Sequence, residues 1–166
     1  MLHSIDSIRS AGWEGFLTID VLRRTKLAAV PEQQGVYLVL RPERHAPIFL
    51  ERSPAGHFKG KDPTVPVDKL KSNWIEGALV LYIGKAGKDG QEATLRSRLG
   101  QYLAFGAGSP SAHRGGRFIW QLAGTDSLLV CWKVLPNEDP REVERGLTAA
   151  FRKDHGGRRP FANLQD

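Results

Sequence analysis

Two tyrosines stand near glycines inside short apolar runs: Tyr37 in the stretch from Gly35 to Leu40, and Tyr82 in the stretch from Ala78 to Gly84. On a strand, a glycine lets another group approach the backbone, and a tyrosine beside it brings a phenol to the edge of that opening. Farther along the chain stand Arg98, Glu144 and Asn163. These residue types match in kind what phosphodiester hydrolysis requires. The reaction needs a positioned water, a group to take its proton, cationic stabilisation of the developing charge, and help for the leaving oxygen.

Each residue also has a plainer reading. Arg98 lies between Leu95 and Leu99 with Tyr102 one turn later, so Arg98 and Tyr102 share a helix face. A planar, bidentate guanidinium suits a phosphate, but the same arginine could simply cover the core with its stem. Glu144 follows the apolar Val143 on the last helix, at the border of the core face. A lone carboxylate there can hold Mg²⁺, which keeps most of its water shell, or it can be a solvated neighbour of Arg141 and Arg145. The two tyrosines could be structural phenols.

Secondary elements must bring these residues together. Residues 35–41 alternate apolar and β-branched side chains and read as the first core strand, and 78–83 as the second. A helix from about Ala93 to Phe105 turns Leu95, Leu99, Tyr102 and Leu103 inward. Runs 118–122 and 128–135 read as strands separated by the turn at Gly124-Thr125-Asp126. The last helix starts with Asp139 as N-cap, Pro140 at the first position and Glu142 completing a capping box. Val143, Leu147, Ala150 and Phe151 face inward, and Gly156-Gly157 stops the helix. A short strand at 16–19, a helical turn at 21–26 and a helix beginning near Thr64 with a Val67, Leu70, Trp74 stripe complete the pattern. The expectation is one α/β (α+β) domain over residues 1–166. Its small three-stranded antiparallel or mixed sheet is flanked by helices, with residues 1–30 as an N-terminal extension and 42–77 as an insert between the first two core strands.

The order of these motifs resembles the GIY-YIG nuclease domain. Gly35-Val36-Tyr37 is followed by Tyr82-Ile83-Gly84-Lys85-Ala86, then Leu95-Arg96-Ser97-Arg98-Leu99, then Glu144 opening Glu-x-x-Leu, then Pro160-Phe161-Ala162-Asn163. The resemblance spans residues 35–163 and implies a three-stranded antiparallel sheet flanked by helices. It implies a DNA endonuclease with one divalent ion, Mg²⁺ or Mn²⁺, held on Glu144. Arg98 would be the active-site arginine, Tyr102 would help order the site, and Asn163 would brace it. A phenolate from Tyr37 or Tyr82, aided by Lys85, would take the proton from water, leaving a 5′-phosphate and a 3′-hydroxyl. A phenol titrates near ~10 when unperturbed, so the base role requires a cation that lowers it. The separation of Tyr37 from Tyr82 departs from the tight turn that joins these strands in many members. The intervening insert offers Arg44, Lys59, Lys61, Lys69 and Lys71 as DNA contacts.

Composition agrees with a polyanionic partner. The chain has 166 residues, 40% of them apolar, and a formal charge of +6. Lys85, Lys88, Arg96, Arg98, Arg114 and Arg117 face only Asp89 and Glu92 between Gly84 and Arg117. His113-Arg114-Gly115-Gly116-Arg117 could be a flexible loop that grips a phosphate backbone, or an ordinary turn. His45, His57 and His155 read as surface residues and Cys131 as a small buried hydrophobe. No apolar stretch suggests a membrane span or leader, so a cytoplasmic location is expected. The competing readings are a nucleic-acid-binding module with weak catalysis and a general phosphate-binding protein. Cleavage of both strands would require a homodimer or two encounters.

Overall fold

The computed structural model describes residues 2–87, 92–111 and 113–164. Its elements in chain order are α1 (Ile5–Ser10), β1 (Glu14–Thr18), α2 (Ile19–Arg24), β2 (Gly35–Leu40), α3 (Val67–Asn73), β3 (Val80–Ala86), α4 (Leu95–Gly106), β4 (Leu129–Val134) and α5 (Pro140–Asp154). Short 3₁₀ segments lie at Phe58–Gly60, Arg114–Gln121 and Thr125–Ser127.

The sheet has four strands in the order β1-β4-β2-β3, and every pairing is antiparallel. The sheet has one strand more than the three expected, and the short strand read at 16–19, in the N-terminal extension, is present as β1. That segment belongs to the core: Ile8, Trp13, Ile19 and Leu22 are buried, and β1 pairs along β4. The second correction concerns residues 118–122. They read as a strand because Phe118, Ile119, Trp120 and Leu122 are apolar, yet they mostly continue the 3₁₀ segment. Their burial against the sheet face explains the apolar run.

All six residues of β2 are buried, because helices cover both faces of this central strand. Tyr37 and Val39 face a layer that includes α2, α4 and the Arg114–Gln121 segment. Val36, Leu38 and Leu40 face α1 and α5. Cys131 lies in this second layer, fully buried. On α5 Leu147 and Phe151 are buried and Val143 packs half-buried against the same cluster, whereas Ala150 is exposed. Asp139 caps α5 through the Arg141 amide, and Glu142 pairs with Arg145, so the reciprocal capping box is not formed.

The 42–77 insert packs onto the same layer as α4. Gln121 is almost fully buried and staples it there: its amide nitrogen donates to the carbonyls of Leu50 and Val65, and its oxygen accepts from the Val65 amide. Phe49, Trp74 and Phe161 then form an aromatic cluster joining the insert to the C-terminal segment. Among the described residues, no helix is long and apolar enough to cross a membrane.

Candidate active site

Strand register explains why the two tyrosines meet. Tyr37 stands opposite Gly84 and Val39 opposite Tyr82, which makes the two phenols diagonal neighbours on one face. Their ring centroids are 6.0 Å apart, edge to face. Gly84 carries no side chain to fill the space over which the Tyr37 ring lies. From α4, Tyr102 closes the cluster at 5.5 Å from Tyr82 and 6.5 Å from Tyr37. All three tyrosines of the chain therefore lie in one cluster.

A fourth member is His113. The sequence leaves it in either a flexible phosphate-gripping loop or an ordinary turn with Arg114 and Arg117, yet only 3% of its surface is exposed. Its ring lies 4.4 Å from that of Tyr102, and its Nε2 is 3.3 Å from the Tyr37 hydroxyl. Nδ1 is buried and has no hydrogen-bond partner among the described residues. Burial holds this imidazole down to about 3, with the Arg98 charge acting in the same direction, so it is neutral at physiological pH. The surrounding Gly-rich, basic sequence masked a core residue.

The three hydroxyls differ in access. Tyr102 donates to the Gly116 carbonyl at 2.8 Å, so its hydroxyl is spent on holding the 3₁₀ segment. Tyr37 is 1% exposed and lies behind, against His113. Tyr82 lines a cavity of ≈350 Å³ together with Lys85, Glu144, Asn163, Arg114 and Arg117. Lys85 Nζ stands 3.4 Å from Glu144 Oε1, a long ion pair between β3 and α5.

Asn163 accepts from the Ile83 amide and donates to the Ile83 carbonyl, both at 2.9 Å. Ala162 donates to the Leu81 carbonyl. The C-terminal segment thus satisfies the outer edge of β3 between the residues flanking the bulge and Gly84. Asn163 braces the strand that carries Tyr82 and Lys85.

Burial dominates the electrostatics. It raises the Tyr82 phenol to about 12, with the Glu144 charge adding to the rise and Arg98 opposing it. Burial likewise raises Tyr37 and Tyr102 well above the ordinary phenol value. Arg98 lowers both Tyr37 and Tyr82, as a nearby cation should, but removing each ring from water outweighs its attraction. Burial also raises the Glu144 carboxyl, and Lys85, Arg141 and Arg98 pull it back. Arg98 therefore acts on Tyr37, Tyr82, His113 and Glu144 alike, while its own Nη1 donates to Gln101.

The remaining basic residues separate by position. Arg114 and Arg117 rim the cavity, and Arg114 donates to the Lys61 carbonyl, which draws that part of the insert to the rim. Lys59 is exposed on the Phe58–Gly60 turn, its ammonium over the Phe58 ring. Arg96 is not a free cation for DNA. Its guanidinium donates to the carbonyls of Val30 and Ala28 and pairs with Glu32, fixing the loop before β2. Lys88 lies outside the described residues.

Among the described residues, no three His, Cys, Asp or Glu side chains converge as a metal cage. Glu144 is, among the described residues, the one carboxylate that lines the cavity. That donor set fits a hard cation such as Mg²⁺ or Mn²⁺, held through one carboxylate and otherwise by water and substrate oxygens. No protein-family model matches the chain, and no curated protein or solved structure resembles it beyond chance.

Proposed function

We propose that the chain is a GIY-YIG-type endonuclease that hydrolyses DNA phosphodiester bonds, leaving a 5′-phosphate and a 3′-hydroxyl. The observation that carries this reading is the convergence of Tyr82, Lys85, Glu144 and Asn163 on one cavity rimmed by Arg114 and Arg117. These residues come from β3, α5, the C-terminal segment and the 3₁₀ segment, and they are the types the chemistry needs.

In this reading Arg114 and Arg117 draw the phosphate into the cavity, and Arg98 supplies positive field from behind it. The neutral Tyr82 hydroxyl positions the attacking water, whose proton passes by way of a phosphate oxygen to the leaving 3′-oxygen. Tyr37 orders Tyr82 from the second row, and His113 fixes Tyr37. Lys85 holds Glu144 ionised until substrate arrives. Glu144 would hold Mg²⁺ or Mn²⁺, which when bound supplies positive charge to the leaving oxygen and lowers the proton affinity of nearby phenol and water. The same reading makes the protein cytoplasmic, acting on duplex or branched DNA, with a homodimer where both strands are cut.

A second reading has a specific observation behind it. Lys85 already occupies the carboxylate of Glu144, as it would in a module that binds nucleic acid and cuts weakly. Cleavage of plasmid with Mg²⁺ separates the two. The nuclease reading expects nicking that is lost in Glu144→Ala and Arg98→Ala while DNA binding persists. Equal nicking by wild type and both variants would remove the assignment.

A further inference from the structure

A second cavity adjoins the first. Its volume is ≈590 Å³, and Arg117, Asn163 and Leu164 line both. Its charged side chains are Lys69, Arg117, Arg152, Arg158 and Arg159, with no carboxylate among the described residues that line it. They come from distant parts of the chain. Lys69 belongs to α3 in the insert, Arg152 to the last turn of α5, and Arg158 and Arg159 to the turn that follows. Arg158 ties these walls together by donating to the carbonyls of Ser72 and Trp74.

Like charges gathered around a concavity repel one another and focus a positive potential, and an anion relieves that repulsion. The cleft on the side of α1 has no such bias: Asp6, Glu43 and Glu76 line it with Arg41 and Arg44. At the junction of the two basic cavities, Arg117 lies close enough to Arg114 to donate to its carbonyl. Its Nε is buried with no hydrogen-bond partner among the described residues. Arg117 lines both cavities, which makes its guanidinium the cation they share.

We propose that this second cavity binds the phosphodiester backbone of the strand that enters the tyrosine–glutamate cavity, the strand crossing Arg117 from one to the other. The assignment of the strand as substrate rests on the nuclease reading. The contacts are to phosphate and carry no base sequence. They give the 42–77 insert a task, which is to supply the Lys69 wall.

The test measures binding of a fluorescein-labelled oligothymidylate over a salt series, using wild type, Lys69→Glu, and Lys69→Glu with Arg152→Glu. Lys153→Glu serves as control, because it makes the same charge change in the last turn of α5, next to Arg152 but away from the cavity lining. Each lost phosphate contact on a single strand reduces the salt slope by about 0.7, so the double variant should bind at least roughly tenfold more weakly with a slope lower by about 1.4. Lys153→Glu should change affinity less than about threefold, as a screened surface charge does. If the double variant unfolds, Lys69→Glu alone reads half the slope change. Normal oligothymidylate binding by the variants overturns the proposal and leaves the nuclease reading standing. An equal effect of Lys153→Glu overturns it as well, since a diffuse field would then explain the loss. Variants that lose inorganic polyphosphate but keep the oligonucleotide assign the cavity to free phosphate and overturn it. Loss of binding in a protein that cuts no DNA supports the cavity and sinks the nuclease reading instead.

Discussion

Gly84→Ala probes the contact on which the tyrosine cluster is built. Tyr37 is the register partner of Gly84, and its ring lies over the glycine. An added Cβ would stand 2.5 Å from Tyr37 Oη and 2.7 Å from Cε1, and nearer still to Cζ, where ordinary contact begins at 3.4 Å. The ring must therefore retreat by about 1 Å, and overpacking of this kind costs about 1–3 kcal/mol. Retreat is blocked by His113, 3.3 Å from the hydroxyl, and by Tyr102 behind it. A displacement of about 1 Å in a positioning group lowers turnover by roughly 10²-fold. Urea unfolding reads the first effect and nicking of supercoiled plasmid the second. Gly35→Ala is the matched comparison. Its Cβ would meet the Lys133 backbone carbonyl, so it should cost stability through the β2–β4 pairing rather than through the phenols. Gly84→Ala with unchanged stability and unchanged nicking would refute the placement of Tyr37 over Gly84.

Three further outcomes follow from burial of the site. Absorbance titration of the three tyrosines should show almost no tyrosinate at pH values where free phenol is half ionised, near ~10, because burial raises all three, Tyr82 to about 12; a tyrosine titrating below that in the folded protein would restore the phenolate base. His113 has a depressed folded value of about 3, so its stabilising contribution is present above its unfolded value near ~6.5 and is lost as pH falls towards 3. In that window wild type should lose up to about 1.4 kcal/mol per pH unit more than His113→Gln, and parallel acid-unfolding curves would contradict it. Glu144 is raised, so its contribution is full below its unfolded value and is lost as pH rises through the folded one; Glu144→Gln should therefore unfold at slightly higher temperature than wild type near pH 8, within about 1 kcal/mol, while nicking disappears. A lower melting temperature would show that the Lys85–Glu144 pair stabilises the fold.

Local signals in the sequence carried much of the fold. Short apolar runs located β2 and β3, and the inner stripe of Leu95, Leu99, Tyr102 and Leu103 located α4. Asp139-Pro140 marked the start of α5. Long-range pairing was less legible. The short strand read at 16–19 overlaps β1, but nothing in its residues shows that it will lie beside β4 or carry a bulge at Gly15/Leu17. Phe118 to Leu122 misled because a short apolar run has no period of its own. At the site, the types and order of Tyr37, Tyr82, Arg98, Glu144 and Asn163 were readable, whereas access was not. Only the register and the packing of α4 put Tyr82 at the cavity and Tyr37 behind it. His113 was hidden by its glycine and arginine neighbours, and Arg96 looked like a free cation until the Val30 and Ala28 carbonyls met it.

The central claim is that the cavity of Tyr82, Lys85, Glu144 and Asn163 cuts DNA. Incubation of the wild-type protein with linear, branched and supercoiled DNAs in Mg²⁺ or Mn²⁺, with chemical mapping of the new ends, tests it directly. The account predicts cuts bearing a 5′-phosphate and a 3′-hydroxyl that vanish in Glu144→Gln. Binding to these DNAs without a cut in any of them would contradict it.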